Sequence, residues 1–443
     1  MDKNNRWQMN LYSIWFAQIL SIMSFNLGMP FMAFYIQEMG VNDPSQIKFY
    51  AGLLSAGPAV ALGIMGPIWG RLADKFGKKI MMLRAIAFAS LVMFGLGMST
   101  HVWQLVVLRF GQGIFTGTVA AAAALVASTV PENKLGYSLG FLASSTAIGS
   151  SVGPAIGGIV AEWLGYRYSF LMGAGLMLLD LFIVILFVKD NEAPQKIHLF
   201  DNRIKLSTLF KGNLHDTWLN TKCLFTNSAL ERRNRKSLNK APKMTSFLST
   251  KWFISAMIMF LVLRFATSIF GPYMPIFVQD KLQTLEGAAG TTGLVNAFIS
   301  VMMALSGIFL GKLSDKYGRV KLLRIYTFAG LILAIPLQFS NVIWTLALNY
   351  GFMMFFIGGI EPVLMSATTR RIHRDQRGTL FGMQTMIGSL GWGLSPMLGG
   401  YLSIRFSVTA VLIAIPIILL IELVLASTIG KHLVPYVEPK EVM

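Results

Sequence analysis

The sequence predicts an all-α membrane protein with twelve transmembrane helices in two pseudo-symmetric six-helix halves. Of its 443 residues, 54% are hydrophobic and 13% are charged, whereas soluble domains carry about 25% charged residues. The apolar residues are grouped in runs of roughly 20, the length that a helix needs to cross a bilayer. An internal repeat indicates that the two halves arose by duplication. Together these observations argue against a soluble enzyme.

Twelve apolar segments follow one another along the chain. Residues 1–6 are polar and no A-x-A cleavage pattern follows them, so we expect an uncleaved first span. Helices suit these segments because they satisfy their backbone hydrogen bonds internally, as the bilayer interior demands. The predicted spans cover about residues 11–36, 49–69, 79–99, 102–128, 136–160, 166–188, 252–277, 291–311, 320–340, 342–367, 379–402 and 406–429.

The segment between the sixth and seventh spans is polar and basic, and it includes the charged run at residues 231–236. We therefore predict an N-terminal six-helix half at 1–188, a cytoplasmic basic linker at 189–251 and a C-terminal six-helix half at 252–443. One interpretation is a linker that holds the orientation of the protein and touches anionic lipid headgroups. The alternative is a regulatory or partner-binding segment.

The net charge of +18 is distributed unevenly across the predicted membrane. With the N-terminus inside, the outer side holds only Lys48, Arg167, Lys281 and Arg405, and the cytoplasmic side holds most of the other basic residues. This is the bias that sets membrane orientation, so we predict a multi-pass protein with both termini cytoplasmic and no nucleic-acid partner. The single cysteine, Cys223, offers neither a disulfide nor a metal cluster, and we expect no cofactor.

The loop at residues 66–79 is the clearest part of the internal repeat. Its glycines and basic residues surround one carboxylate, Asp74, and the same pattern recurs around Asp315 at an offset of 241 residues. Parts of the first and fifth spans recur in the seventh and eleventh spans at an offset of 242, with Pro30 matched by Pro272 and Pro154 by Pro396. A duplicated protein explains all three matches.

The loop pattern G-x-L-x-D-x-x-G-R/K-K resembles the loop between the second and third helices of the major facilitator superfamily. The resemblance implies that the substrate site lies near the midplane between the halves. It also implies a cytoplasmic gate, in which the carboxylate accepts charge-assisted hydrogen bonds in one conformation only. A tight turn that anchors the chain by its positive charge is the alternative. The implied gating residues are Gly70, Arg71, Asp74, Gly77, Lys78, Asp315, Gly318 and Arg319.

The fifth span carries repeated small residues that permit close helix packing. Packing alone would explain them, but the form G-x-x-x-G-P-x-x-G-G resembles the antiporter signature of drug:proton exporters. Within the superfamily the chain therefore resembles the twelve-helix bacterial drug:proton antiporters of the MdtG and PmrA type, which implies a bacterial cytoplasmic membrane. The residues of this motif are Gly149, Gly153, Pro154, Gly157 and Gly158.

Several ionisable residues fall inside predicted spans, where charge is costly and points to function. The resemblance places Arg109, within the pattern R-x-x-Q-G, and Arg264 in the central cavity together with Glu361. We predict Glu361 as the proton-coupling residue and Asp180 as the next candidate; Glu422 is a further intramembrane acid. A static ion pair and a snorkelling arginine are the alternatives. The first span offers Asn26 where many such exporters carry an acid.

Aromatic, methionine and polar residues on the cavity-lining spans are candidates for substrate contact, because such side chains make an adaptable binding surface. Most aromatic residues of a membrane protein nevertheless face lipid or other helices. The predicted substrate-binding residues are Asn26, Met29, Tyr35, Gln112, Phe270 and Tyr273.

The sequence lacks the motifs that are typical of other classes of membrane protein. No G-x-x-x-x-G-K-[ST] phosphate loop occurs, which argues against an ATP-driven pump, and the histidines have no H-x-x-x-H spacing. We predict a monomeric, non-enzymatic secondary transporter that exports lipophilic drugs or other small molecules in exchange for protons. Alternatives are an exporter of a metabolite such as a sugar, amino acid or siderophore, a proton symporter, and a scramblase or sensor that does not transport.

Overall fold

The computed structural model describes residues 6–131, 134–188, 250–317, 319–369 and 377–432. These ranges are helical and contain no strand. Eleven of the helical segments are long and apolar enough to cross a membrane. The predicted class of all-α membrane protein is therefore confirmed. The predicted linker lies almost wholly outside the described residues.

The N-terminal half contains eight helices joined by short connections. Asp43 caps one of them, because its side chain accepts a hydrogen bond from the Ser45 amide at 3.0 Å and Pro44 begins the first turn. The helices are α1 (Arg6–Gly28), α2 (Met32–Glu38), α3 (Pro44–Phe76), α4 (Lys78–Met98), α5 (Val102–Phe115), α6 (Thr118–Thr129), α7 (Leu135–Leu164) and α8 (Tyr166–Phe187).

The C-terminal half repeats the same succession of long and short helices. Its members are α9 (Lys251–Ser268), α10 (Met274–Leu282), α11 (Ala288–Tyr317), α12 (Arg319–Ala334), α13 (Ile343–Gly358), α14 (Ile360–Thr369), α15 (Arg377–Arg405) and α16 (Val408–His432). A short 3₁₀ segment, Ile335–Phe339, follows α12.

The predicted eleventh span, 379–402, corresponds to α15 but is not among the eleven segments with spanning hydropathy. This helix is rich in glycine and serine, which lower its hydropathy. It packs against α3, α9 and α16. Less of its surface therefore needs to face lipid, and small residues allow these helices to approach closely.

The two ends of the bundle are distinguished by their connections. We call the end that holds residues 77, 188 and 250 the linker end, and the end that holds residues 39–43, 165, 283–287 and 406–407 the far end. The halves meet where α3 packs against α15 and where α7 packs against α11. All described helices belong to one compact unit.

Within the N-terminal half, α1 and α7 pack through a stripe of glycines. A Cβ added at Gly149 would lie 2.8 Å from Ile22 Cβ, and one at Gly153 would lie 2.7 Å from Asn26 Cβ. At Gly157 an added Cβ would overlap the backbone carbonyl of Leu27. Glycine is required here because only the absence of a side chain lets the two backbones approach.

We expect Gly157→Leu to destabilise the fold. The new side chain must displace the backbone of α1, and such overpacking costs about 1–3 kcal/mol or more. Gly140→Leu on the same helix is the matched control, since a Cβ there meets no atom within 4 Å. Thermal unfolding of the purified proteins in one detergent should show a lower midpoint for Gly157→Leu alone. Equal midpoints would contradict the close approach of α1 and α7.

Candidate functional site

Four spans are interrupted, the fourth and tenth near their middles and the first and seventh nearer the far end. The first span changes to a 3₁₀ turn at Met29–Phe31 and the seventh does so at Gly271–Tyr273, which are equivalent positions at the offset of 242. The fourth span breaks between α5 and α6, and the tenth breaks between α13 and α14. Such breaks are typical of helices that line the substrate path of a transporter, because the freed backbone groups need polar surroundings.

Local sequence explains these breaks. Pro30 and Pro272 occupy the first turns of the two 3₁₀ segments, where a missing amide donor costs least. Gly117 has φ +121 at the break of the fourth span, a conformation that favours glycine. Its equivalent at the offset of 242 is Gly359, between α13 and α14. These breaks were not predicted from the sequence, although the glycine and proline positions repeated in both halves were the available signal.

Arg264 and Glu361 form an ion pair beside the break of the tenth span. The Arg264 Nη2 atom lies 2.5 Å from Glu361 Oε1, and the side chains are 33% and 28% exposed. Glu361 is in the first turn of α14. Arg264 packs along α15, where its Cβ lies 2.9 Å from the position that a Cβ on Gly391 would take. Two of the predicted cavity charges are thus in direct contact, and a partly exposed pair inside the membrane is costly unless it faces a polar cavity.

Arg109 is held by the N-terminal half instead. Its Nε donates to the Leu54 carbonyl oxygen at 2.8 Å, and its Nη1 donates to Gln112 Oε1 at 2.5 Å. No carboxylate among the described residues lies within ion-pair distance of Arg109. Gln112 is therefore a partner of this arginine as well as a predicted substrate-binding residue. The guanidinium joins α3 to α5 and keeps its positive charge uncompensated there.

The predicted substrate-binding residues divide into two groups. Tyr35, Phe270 and Tyr273 are fully buried: the Tyr35 hydroxyl donates to the Leu96 carbonyl at 2.9 Å, and the Tyr273 hydroxyl donates to the Pro396 carbonyl at 2.6 Å. Phe270 meets two aromatic rings edge-on. Asn26 and Met29 are half-buried, and Asn26 donates to the Ile22 carbonyl at 2.8 Å. In this conformation the first group contacts protein.

The far end is closed by contacts between the halves. Gln37 and Gln279, which are equivalent residues at the offset of 242, exchange two amide hydrogen bonds of 2.9 and 3.0 Å. Lys48 donates to the Ser403 carbonyl at 2.9 Å. The Glu162 carboxylate lies against Gly290 near the start of α11. Amide groups from both halves, together with an ammonium and a carboxylate group from the N-terminal half, therefore make the contacts that close this end.

Toward the linker end several glycines of the same helices lie in open space. A Cβ added at Gly66 or Gly70 of α3, at Gly140 of α7 or at Gly307 of α11 would meet no atom within 4 Å. In contrast, a Cβ at Gly158 would lie 2.8 Å from the Ala289 carbonyl oxygen, across the interface of the halves at the far end. The far end is therefore closed in this conformation.

The glycine motif of α7 faces two different neighbours. Gly149, Gly153 and Gly157 lie against α1 of the same half, whereas Pro154 and Gly158 lie against α11 of the other half. The motif thus combines a permanent contact within one half with a contact that must change if the halves rock against each other.

The predicted gate at the linker end is described only in part. Gly77 ends α3 with φ 95, which favours glycine at this tight turn, and Gly70 lies in open space. Lys78 begins α4. The side chains of Arg71, Asp74, Asp315 and Arg319, and the whole of Gly318, lie outside the described residues.

Asp180 and Glu422 occupy equivalent positions in the sixth and twelfth spans, at the offset of 242. Both are fully buried. The Ser21 hydroxyl donates to Asp180 Oδ2 at 2.6 Å, and neither carboxylate oxygen of Glu422 has a hydrogen-bond partner among the described residues. Their complete burial separates them from the partly exposed pair of Arg264 and Glu361. No group of three or more metal-ligating side chains occurs in the described part of the chain.

Comparison with known proteins identifies relatives along nearly the whole chain. The family model for the Major Facilitator Superfamily matches residues 14–284 and 256–441. A protein named multi-drug resistance efflux pump PmrA homolog, from Lactococcus lactis subsp. lactis (strain IL1403), is 28% identical over 92% of this chain and 92% of its own length. The multidrug resistance protein MdtG of Serratia proteamaculans (strain 568) is 28% identical over 94% of this chain and 93% of its own length.

Solved structures support the same fold. A bacterial homolog of the human lysosomal transporter Spinster, in an inward-facing and occupied conformation, superposes with a TM-score of 0.75 at 12% identity, covering 97% of this chain and 98% of that chain. The human organic anion transporter MFSD10 superposes with a TM-score of 0.66 at 14% identity, covering 95% and 99%.

Proposed function

The chain belongs to the Major Facilitator Superfamily, and from this premise we propose that it exports lipophilic small molecules in exchange for protons. The curated relatives that match it are named as multidrug efflux proteins, which supports drug export. The distribution of basic residues supports a cytoplasmic linker end and cytoplasmic termini in a bacterial inner membrane. We further propose that the protein acts as a monomer made of the two six-helix halves and the linker.

The ion pair of Arg264 and Glu361 is the observation that carries the proposal of proton coupling. A proton and the Arg264 guanidinium compete for the Glu361 carboxylate, so protonation of Glu361 releases Arg264. The protonated Glu361 side chain carries no charge, and it can therefore move through the low-dielectric part of the path. The pair lies beside the broken tenth span, where a small change can alter the packing of α9 against α15. Asp180 remains the second candidate, but its burial keeps it from direct contact with a cavity.

Alternating access requires contacts between the halves at the far end in one conformation and at the linker end in the other. In the described conformation the far end is closed, so substrate enters from the cytoplasm or the inner leaflet. Rocking of the halves then opens the far end and brings together the predicted gate residues around Asp74 and Asp315. The described charges at the midplane favour a substrate without positive charge, because Arg109 has no carboxylate partner among the described residues and Arg264 is already neutralised by Glu361.

Transport by the purified protein tests the proposal. In proteoliposomes with an imposed pH gradient, we expect a neutral lipophilic dye to move against its own gradient while protons move in the opposite direction. One pH unit supports about tenfold accumulation for each proton exchanged. Dye movement that follows only its own gradient would contradict proton coupling, and no movement of any probe would favour the metabolite exporter. Co-transport of dye and protons in the same direction would indicate a symporter.

A further inference from the structure

A cavity of about 250 Å³ lies within the N-terminal half, between α1, α6 and α7. Its walls are mainly apolar and include Val119, Leu142 and Ala143. The hydrophobic core of this half, with Leu11 and Ile14, surrounds it on the side of α1. The cavity is separate from the ion pair of Arg264 and Glu361, which lies in the other half.

Gln18 is the polar feature of this cavity that lacks an explanation. Its side chain lines the cavity and is 1% exposed, yet neither the amide nitrogen nor the amide oxygen has a hydrogen-bond partner among the described residues. A buried amide without partners is unfavourable, because it loses its hydrogen bonds to water and gains none in return. Such groups are usually satisfied by a ligand or by water. Gln18 can supply one donor and one acceptor side by side.

The cavity opens toward the space between the halves. Ala143 is exposed and lines the cavity. It precedes Pro154 by eleven residues, about three helical turns, so both residues lie on the same side of α7. Because Pro154 contacts α11 of the other half, Ala143 lies on the side of α7 that faces the other half. The cavity is therefore open to the central path at Ala143, and Gln18 lies on its buried wall.

Because of the internal repeat, the cavity beside Gln18 in the N-terminal half corresponds to the site of the Arg264–Glu361 ion pair in the C-terminal half. At the offset of 242, Val119 corresponds to Glu361 and Ile22 corresponds to Arg264. Gln18 corresponds to Phe260, which is buried. One half therefore carries an ion pair where the other carries an apolar cavity with a single amide.

We propose that this cavity is a substrate subsite that binds a neutral lipophilic ring system through an amide or lactam group paired with Gln18. A lactam presents a donor and an acceptor side by side, which matches both unused atoms of the Gln18 amide. The volume is smaller than the roughly 300–1,000 Å³ of drug-sized pockets, so the cavity takes one part of a larger substrate. The proposal rests on the proposed export function and assigns substrate recognition to the N-terminal half and proton exchange to the C-terminal half.

Equilibrium binding to the purified protein in lipid nanodiscs tests the subsite without any need for transport. The probes are 2-quinolone, a two-ring lactam, and naphthalene, which has the same ring size and no polar group. We expect the parent to bind 2-quinolone at least about tenfold more tightly relative to naphthalene than Gln18→Leu does, because the variant loses paired hydrogen bonds. Gln18→Leu keeps the approximate side-chain volume and suits the apolar surroundings, so naphthalene binding should persist.

Ala143→Phe provides a second variant that does not alter Gln18. Its ring should fill the mouth of the cavity and weaken binding of both probes, and the exposed position makes misfolding an improbable cause; thermal unfolding checks this. Equal lactam preference in the parent and Gln18→Leu, or unchanged binding in Ala143→Phe, would overturn the subsite and leave a water-filled cavity. If lactam binding depends on Gln18 but proton-driven transport fails, the subsite stands and the export proposal falls.

Discussion

Glu361→Gln is expected to abolish accumulation of substrate driven by a pH gradient while substrate binding persists. Glutamine keeps the size of the side chain and can accept a hydrogen bond from Arg264, but it cannot take up a proton. With one proton exchanged for each substrate, the parent should sustain about tenfold accumulation per pH unit, and the variant should reach only equal concentrations on both sides. The measurement is dye accumulation and proton flux in proteoliposomes.

The double variant Glu361→Gln with Arg264→Gln separates proton transfer from structural pairing. If Glu361 serves only to neutralise Arg264, then removing both charges should restore coupling, because neither group is left unpaired in the membrane. If Glu361 carries the proton, the double variant stays uncoupled even though it leaves no unpaired charge at this site. Restored coupling in the double variant would make Asp180 the next residue to test.

The pattern of spans could be predicted from the sequence because it depends on local composition. Residues 166–187 are predominantly apolar and form α8 within one residue of the predicted span. The breaks at Gly117 and Gly359 were missed because a glycine inside an apolar run does not by itself reveal that a helix ends there. Gly117 has φ +121, whereas Gly359 keeps a helical φ of −74. Only the repetition of both positions in the duplicated halves could have indicated them.

The candidate site was less predictable because contacts across the bundle depend on helix rotation. Glu361 and Arg264 were predicted as cavity charges, but no spacing indicates that residues 97 positions apart form an ion pair. Tyr273 illustrates the opposite case: an aromatic residue on a central span was predicted to contact substrate, and its hydroxyl bonds to Pro396 in this conformation. Gln18 was overlooked because a single amide within an apolar helix resembles an ordinary buried polar residue.

The glycine motif of α7 leads to a prediction about conformational equilibrium that differs from the stability prediction for Gly157. Gly158→Leu places a side chain at the far-end interface, where even a Cβ would lie 2.8 Å from the Ala289 carbonyl oxygen and 3.3 Å from Gly293 Cα. The closed far end cannot accept this side chain, whereas a conformation with the far end open can. We therefore expect the variant to populate the outward-open state, with transport strongly reduced.

Thiol labelling at the far end measures this shift. In a chain with Cys223→Ser and Gln279→Cys, the new thiol lies at the contact between Gln37 and residue 279 and should react slowly while the far end is closed. Adding Gly158→Leu should raise the labelling rate by about tenfold or more, since a bias of 1.4 kcal/mol changes the ratio of two states tenfold. Gly140→Leu should leave the rate unchanged, because its surroundings are open in this conformation. A slow rate in Gly158→Leu together with a lower unfolding midpoint would mean that Gly158, like Gly157, serves only the packing of the fold, and that the halves separate elsewhere.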